Sequence, residues 1–374
     1  MPLRQEESMR ELLASAGITL NGTAPGDVTI HNPRLYTRVL TGGPLALGEA
    51  YMDGWWDANG LDVFFTKLLL NDKFRGNLKQ YLPAIVNSAL SHLTNRQNVS
   101  RSAKSVEMHY DIGNDLYTRM LDKRLAYTCG YWKEATNLDD AQEAKFDLVC
   151  RKIGLKPGMT VLDLGCGWAC FAKYAAEKYG VSVVGVTVSH EQVALGTELC
   201  KGLPVEIELL DYRKVEGTYD RVVSIGLMEH VGYKNYQTFM EVIQRSLKDD
   251  GLALVHTIGG NYSTDSIDPW INKYIFPNAM LPSIAQIAKS MENHFVMEDW
   301  HNIGADYDKT LMAWYQNITA RWSELDEKKY DARFRRMWDY YLLSCAGSFR
   351  ARKNQLWQVV LSKKGVPGGY VPVR

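Results

Sequence analysis

From residue 138 onward the chain keeps a two-beat pattern: helical stretches with an apolar side alternate with short Val-, Ile- and Leu-rich runs that show no polar alternation. The pattern predicts helix 138–153, strand 160–164, helix 171–179, strand 182–188, helix 190–199, and strands 205–210, 220–225 and 252–258. Further strands are expected near 295–299 and 355–362. Continuous apolar strands separated by helices specify an α/β, doubly wound, mostly parallel seven-stranded sheet with both faces covered. Such sheets hold ligands at the carboxyl ends of their strands.

Residues 1 to about 70 lack this rhythm. They carry a helical opening, turn-rich passages (NGTAPGD, HNP, TGGP) and the aromatic segment 51–65, YMDGWWDANGLDVFF. A smaller, mainly helical N-terminal domain is expected. From Lys73 to Val106 no acidic residue occurs, while Leu82, Ile85, Val86, Ala89, Leu90 and Leu93 draw one apolar stripe on a helix. A basic amphipathic helix either lies on an anionic lipid surface or packs within its own module with its charges solvated. The polar run 94–105, TNRQNVSRSAKS, has a linker's composition and places the domain boundary between residues 98 and 99.

The strand ends collect the chemistry. In 161–170, VLDLGCGWAC, a buried strand breaks into a glycine turn and reopens as a helix, with Gly165 and Gly167 allowing a sharp bend and close approach of a ligand. A dinucleotide pattern would need a glycine where Cys170 stands and an acid where the next strand ends in Thr187. Asp163 inside an apolar strand needs hydrogen bonds, which would tie down either the turn or a cofactor's amino group. Later strand ends bring Thr187, Ser189 and Gln192, then Asp211 and Tyr212, then Glu229 and His230, and last His256. Ser189 reads as a helix cap, a ribose contact or both. Asp211 and Tyr212 would flank an adenine, or serve only as turn residues. Glu229 reads as acid/base machinery or an ion anchor, and His256 as a functional or merely satisfied core residue. The aromatic stretch 259–282 follows a strand's carboxyl end, where a lid belongs.

Charge and cysteine usage narrow the class. Lys+Arg and Asp+Glu are 43 each, so no global field draws the chain to nucleic acid. No apolar run is long enough to span a membrane, and the acid-bearing start implies a cytoplasmic address. The six cysteines show no paired CxxC spacing; Cys166 and Cys170 have no second pair to complete a metal site, and no metal is expected.

An Asp two residues before the first glycine of G-C-G resembles the first motif of class I S-adenosylmethionine methyltransferases. Longer signatures narrow this further: LGEAYMDGWW, HYDIGNDLY, YTCGYW, LDLGCGW, EHVG, DPWINKYIFPN, DWHNIGADYDKTLMAWY, CAGSFRAR and QLWQV. Together they resemble the bacterial cyclopropane-fatty-acyl-phospholipid synthase family over nearly the whole chain. The resemblance implies methylene transfer from S-adenosylmethionine to the cis double bond of an acyl chain in a membrane phospholipid. The ring would form through a carbocation deprotonated by bound bicarbonate.

By the same resemblance, Cys129, Glu229, His256, the backbone of Ile258 and Tyr307 would hold the bicarbonate. Cys345 matches a residue proposed as catalytic in the family, although a buried thiol of ordinary acidity suits a pocket wall better. Tyr127, Thr128, Leu162, Asp163, Gly165, Cys166, Gly167, Trp168, Thr187, Ser189, Gln192, Asp211, Tyr212 and Arg213 would contact the cofactor. Domain 1–98 would dock on a phospholipid bilayer surface and contribute to a homodimer, with 99–374 catalytic. The enzyme would then be cytoplasmic and peripherally membrane-associated. One departure stands out: the family commonly has glycine after the motif's tryptophan, where this chain has Ala169, whose methyl would narrow the space between turn and cofactor. Two rival readings remain, a small-molecule N- or O-methyltransferase on the same fold and a non-enzymatic lipid binder.

Overall fold

The computed structural model describes residues 2–71 and 113–374. The expected basic amphipathic helix, the linker and the 98/99 boundary lie outside the described residues. The chain forms two compact units, and the first is discontinuous: residues up to Asn71 are joined by Ile267–Pro277 and Tyr307–Asn354. A single cut near residue 98 does not produce this partition.

Aromatic packing explains why the first unit recruits later sequence. Strands β1 (Val28–Ile30) and β2 (Trp56–Ala58) pair antiparallel beside helices Leu35–Met52 and Leu61–Leu70. The rings of Tyr51 and Phe65 lie 5.6 and 5.3 Å from Tyr340, on helix Ala332–Arg350. That helix comes close because of Gly347, where a Cβ would sit 2.7 Å from Asp62 O and from Phe65 Cβ. Arg350 then spans Asp62 (2.7 Å) and Asp308 (2.8 Å). The glycine and arginine of the CAGSFRAR signature are therefore packing residues of this unit.

One expectation holds here and one changes. The turn expected at TGGP is a break in the helical segment Leu35–Met52: Gly43 has non-helical backbone (φ 59°), just ahead of Pro44. Proline lacks the N–H and disfavours helical backbone in the residue before it, so the break falls there. The stretch expected as one lid also divides. Trp270, in helix Pro269–Tyr274, is fully buried in the first unit against Gly48, Met52 and Tyr340, whereas Tyr262 is 80% exposed in the second.

The second unit is a seven-stranded sheet in the order β5-β4-β3-β6-β7-β9-β8: Val205–Leu209, Ser182–Thr187, Thr160–Leu164, Tyr219–Ile225, Leu247–Gly260, Asn354–Ser362 and Val296–Asn302. Pairing is parallel from β5 through β7 and antiparallel between β8 and β9. Neighbouring residues on a strand enter different cores. Val161, Val183, Val223 and Val360 join Phe146, Phe171 and Ala172 in one cluster, while Leu162, Val186, Val222 and Val359 join Phe239, Met240 and Ile243 in the other. This period of two is why the strands read as unbroken apolar runs, since both faces are covered.

A buried ionic cluster closes one edge of this unit. Asp299 on β8 accepts both guanidinium nitrogens of Arg374, at 2.5 and 2.6 Å, and lies 3.3 Å from Lys152 Nζ. Lys152 also reaches His301 Nδ1 at 3.1 Å, and Tyr370 donates to its backbone oxygen. Burial alone would raise the Asp299 carboxyl, but Arg374 and Lys152 hold it below its usual range. Burial pulls Lys152 down to about 8 against the attraction of Asp299.

Candidate active site

The glycine turn sits where β3 ends. Gly165 (φ 77°) and Gly167 (φ 57°) occupy left-handed backbone, and the N–H groups of Gly165 and Cys166 both bond to Val186 O. A Cβ on Gly165 would meet Leu227 Cβ at 3.0 Å; one on Gly185 of β4 would meet Cys166 Cβ at 2.9 Å. The turn is thus braced by strand ends on either side and leaves bare backbone at the sheet's carboxyl edge. Asp163 beneath it is buried, with Oδ2 unbonded among the described residues. Burial raises its carboxyl to about 7, opposed by Lys145. An unbonded buried acceptor beside a cradle of bare glycine backbone fits a cofactor that brings its own donors. Burial also keeps the Cys166 and Cys170 thiols protonated, Cys170 at about 12.

Ala169 is placed away from open space. It adopts φ 61°, ψ 25°, ahead of helix Cys170–Tyr179, and is fully buried within the Phe171–Val183 cluster. Its methyl packs into the core, so a glycine there would act by relieving backbone strain. Left-handed backbone costs a non-glycine residue about 1–2 kcal/mol, offset by the buried methyl and by glycine's extra freedom when unfolded. Ala169→Gly should therefore shift stability by no more than about 1 kcal/mol and leave S-adenosylmethionine affinity unchanged. Urea unfolding and calorimetry check this; a several-fold gain in affinity would restore the narrowing idea.

The next strand ends are built as follows. Thr187 Oγ1 bonds Gln192 Oε1 at 2.6 Å, and Ser189 Oγ caps helix His190–Leu199 by accepting from Gln192 N. Asp211 is committed to its own neighbour: Arg213 Nε and Nη2 bond its two oxygens at 2.8 and 2.6 Å. Burial would raise that carboxyl, yet Arg213 holds it below the usual range. Tyr212 packs edge-on against Phe239 and under the Arg213 guanidinium.

Residues 127–129 are gripped by helix Leu138–Lys152, through side chains the sequence reading did not single out. Gln142 Nε2 donates to Thr128 O at 2.7 Å and Lys145 Nζ to Thr128 Oγ1 at 2.8 Å. Tyr117, in helix Asn114–Met120, brings its ring 5.1 Å from Tyr127 and 5.2 Å from Trp168. Cys129 is fully buried. The available signal was an interrupted stripe: Leu138, Ala141, Leu148 and Val149 share a helix face with Lys145 and Lys152, where two more apolar residues belong.

Two buried groups follow β6 and sit on β7: Glu229 in the helix after β6, and His256 on β7 opposite Ile225, the last residue of β6. Glu229, in the short helix Met228–Val231, accepts from Ile258 N at 2.6 Å through Oε1, while Oε2 has no partner among the described residues. Burial raises its carboxyl to about 7. His256 faces Gln358 Nε2 through Nδ1 at 3.3 Å, and its buried Nε2 has no bonded partner among the described residues. With the amide nitrogen donating to Nδ1, the ring proton belongs on Nε2. Burial, then Lys145 and Lys152, hold His256 well below its usual value, so the ring is neutral. The pair offers one acceptor and one donor. The Ile258 N–H is already spent on Glu229, and the Ile258 carbonyl accepts from Thr257 Oγ1. Of the other expected residues, Tyr307 and Cys345 belong to the first unit. There the Tyr307 ring lies 4.6 Å from Phe349, and burial lifts the Cys345 thiol to about 12, so it is protonated at neutral pH.

Known proteins match this arrangement. The sequence profile of mycolic acid cyclopropane synthetase matches residues 97–359. The Escherichia coli K12 cyclopropane-fatty-acyl-phospholipid synthase is 53% identical over 96% of this chain and 93% of its own length. A crystal structure of a mycolic acid cyclopropane synthase complexed with SAH and CTAB is 31% identical, covering 70% of this chain and 98% of that one at a TM-score of 0.63. A coclaurine N-methyltransferase bound to N-methylheliamine and SAH covers 85% of this chain at a TM-score of 0.65, but at 22% identity it speaks for the fold alone.

Proposed function

Because the chain belongs to the mycolic acid cyclopropane synthetase family, we propose that it is an S-adenosylmethionine-dependent synthase that builds cyclopropane rings on unsaturated acyl chains of membrane phospholipids. The observation that carries this is the 53% identity to the Escherichia coli synthase across almost the full length of both chains. Fold likeness alone leaves small-molecule N- or O-methylation open, because the N-methyltransferase shares the architecture.

S-adenosylmethionine, when bound, supplies the electrophilic methyl group. The protein's share is to seat that group and keep the reacting alkene dry. Gly165 and Gly167 let it lie against backbone, Thr187, Ser189 and Gln192 offer hydroxyl and amide groups, and Tyr212 a ring face. An alkene is a weak nucleophile, so alignment and exclusion of water are the principal levers.

Bicarbonate is the proposed occupant between Glu229 and His256. The ion has one O–H to give and negative oxygens that accept, which suits an unbonded Glu229 Oε2 and an Nε2–H of neutral His256. Held there, it would supply the base. The spent Ile258 N–H makes that residue a brace for Glu229. The reading also requires the protein to reach a bilayer surface, since its acyl substrate resides there. Peripheral attachment to vesicles and a dimer in sedimentation are its further expectations.

Expression in bacteria that make no cyclopropane lipid tests the function. Membrane fatty acids should gain species one CH₂ heavier with no double bond at the modified position. Unchanged lipids alongside soluble protein that binds S-adenosylmethionine would favour small-molecule methylation.

A further inference from the structure

Beneath residues 127–129 lies an ammonium group with unusual company. Lys145 is fully buried, its Nζ 3.8 Å from the Phe146 ring centroid and hydrogen-bonded to a hydroxyl rather than a carboxylate. Burying an ammonium costs several kcal/mol unless other groups replace its hydration, so a neutral side chain of that length would stabilise the fold more cheaply. A stability role alone does not explain the residue.

Its bonding gives it a direction. Lysine has only donors, so Thr128 Oγ1 must accept from it and the Thr128 hydrogen is left to donate elsewhere. Gln142, one turn earlier on the same helix, fixes the Thr128 carbonyl, so both polar groups of that residue are set from below. The Thr128 methyl abuts the end of β6: a Cβ on Gly226 would lie 3.1 Å from it, and Gly226 N is bonded to His256 O. The same cation acts electrostatically on Cys170, Asp122, Cys129, Asp163 and His256, all groups of this unit. A positive charge walled off from water, coupled to a half-buried hydroxyl donor, favours a negatively charged oxygen at that spot.

We propose that Lys145 is a positioning residue, which sets the Thr128 hydroxyl as a hydrogen-bond donor to an oxyanion bound at the strand ends. The oxyanion is the carboxylate of S-adenosylmethionine or bicarbonate, which present the same chemistry. This rests on the function proposed above and names a residue through which its site works.

Lys145→Met, Thr128→Val, Thr128→Ser and the Met/Val double variant separate the possibilities in the full-length protein. Two quantities are read: the S-adenosylmethionine Kd by calorimetry, and the bicarbonate concentration that half-saturates ring formation. Losing a charge-assisted hydrogen bond should weaken one of them by about tenfold in both single Met and Val variants. The cofactor arm moves if the carboxylate is the partner, the bicarbonate arm if that ion is. The double variant should lose little beyond either single one, and Thr128→Ser should recover most of what Thr128→Val loses. Both quantities within about twofold of wild type in Thr128→Val, or fully additive losses, would overturn the proposal. If Lys145→Met fails to fold, the Val and Ser variants decide by the same criteria. Wild-type protein that binds S-adenosylmethionine but makes no cyclopropane would sink the functional reading, and the calorimetric arm would still judge Lys145.

Discussion

Glu229→Gln should bind S-adenosylmethionine within about twofold of wild type while ring formation falls by about 10²–10⁴-fold, the usual range for removing a positioned proton-transfer group. The substitution keeps shape and keeps the bond from Ile258 N to an oxygen. It changes one atom: the Oε2 acceptor becomes an NH₂ donor, which cannot take a hydrogen from a bound ion. Single-turnover assays with vesicle substrate, beside calorimetry, read the two quantities. Turnover close to wild type would remove Glu229 from the mechanism.

The same variant has a pH signature. Burial raises the Glu229 carboxyl from 4.5 to about 7, so between those values the folded protein holds a proton that the unfolded chain has released. Stability from this group therefore declines as pH rises through that window and beyond it stays lost. Glutamine does not titrate. The variant should gain on wild type in urea unfolding between pH 5 and pH 8, and a difference of opposite sign would contradict the burial of the carboxyl.

Asp299→Ala is expected to cost about 3–5 kcal/mol of folding stability, because it strands the buried Lys152 ammonium without its counter-charge. Arg374, which is partly exposed, can return its guanidinium to water, so Arg374→Ala should cost far less. The double variant Asp299→Ala with Lys152→Met should recover most of the loss, since no charge is then left in the core. Urea unfolding of the three proteins gives the comparison. A loss below about 1 kcal/mol in the first would mean that water reaches Lys152.

The sheet was legible because both faces of its inner strands are covered: β3, β4, β6 and β7 carry apolar runs, although β5 (VEIEL) alternates, and Thr187 ends β4, Glu229 follows β6 and His256 lies on β7 opposite the end of β6. The predicted strands match the observed ones within a residue or two, except that β7 and β8 run longer at one or both ends. What escaped notice was polar chemistry placed where solvated helix charge is the ordinary reading. Lys145 and Lys152 look in sequence like surface lysines of a charged helix, and only the packing shows them buried. Asp211 reads in sequence as a lone acceptor for an adenine, and only the packing shows the guanidinium two residues on that bonds both its oxygens. Sequence identity discriminates where fold cannot.

The discontinuity of the first unit bears on how the protein is made. Helices Leu35–Met52 and Leu61–Leu70 leave the ribosome early, but the partners that cover Gly48, Tyr51 and Phe65, namely Trp270 and Tyr340, are encoded far downstream. At roughly 5–20 residues per second, these nascent helices wait some tens of seconds with aromatic surface uncovered. During translation, then, the segment richest in tryptophan at the amino terminus is a natural client for chaperones, and truncated messages ending before Tyr340 should yield protein that is cleared rather than stored.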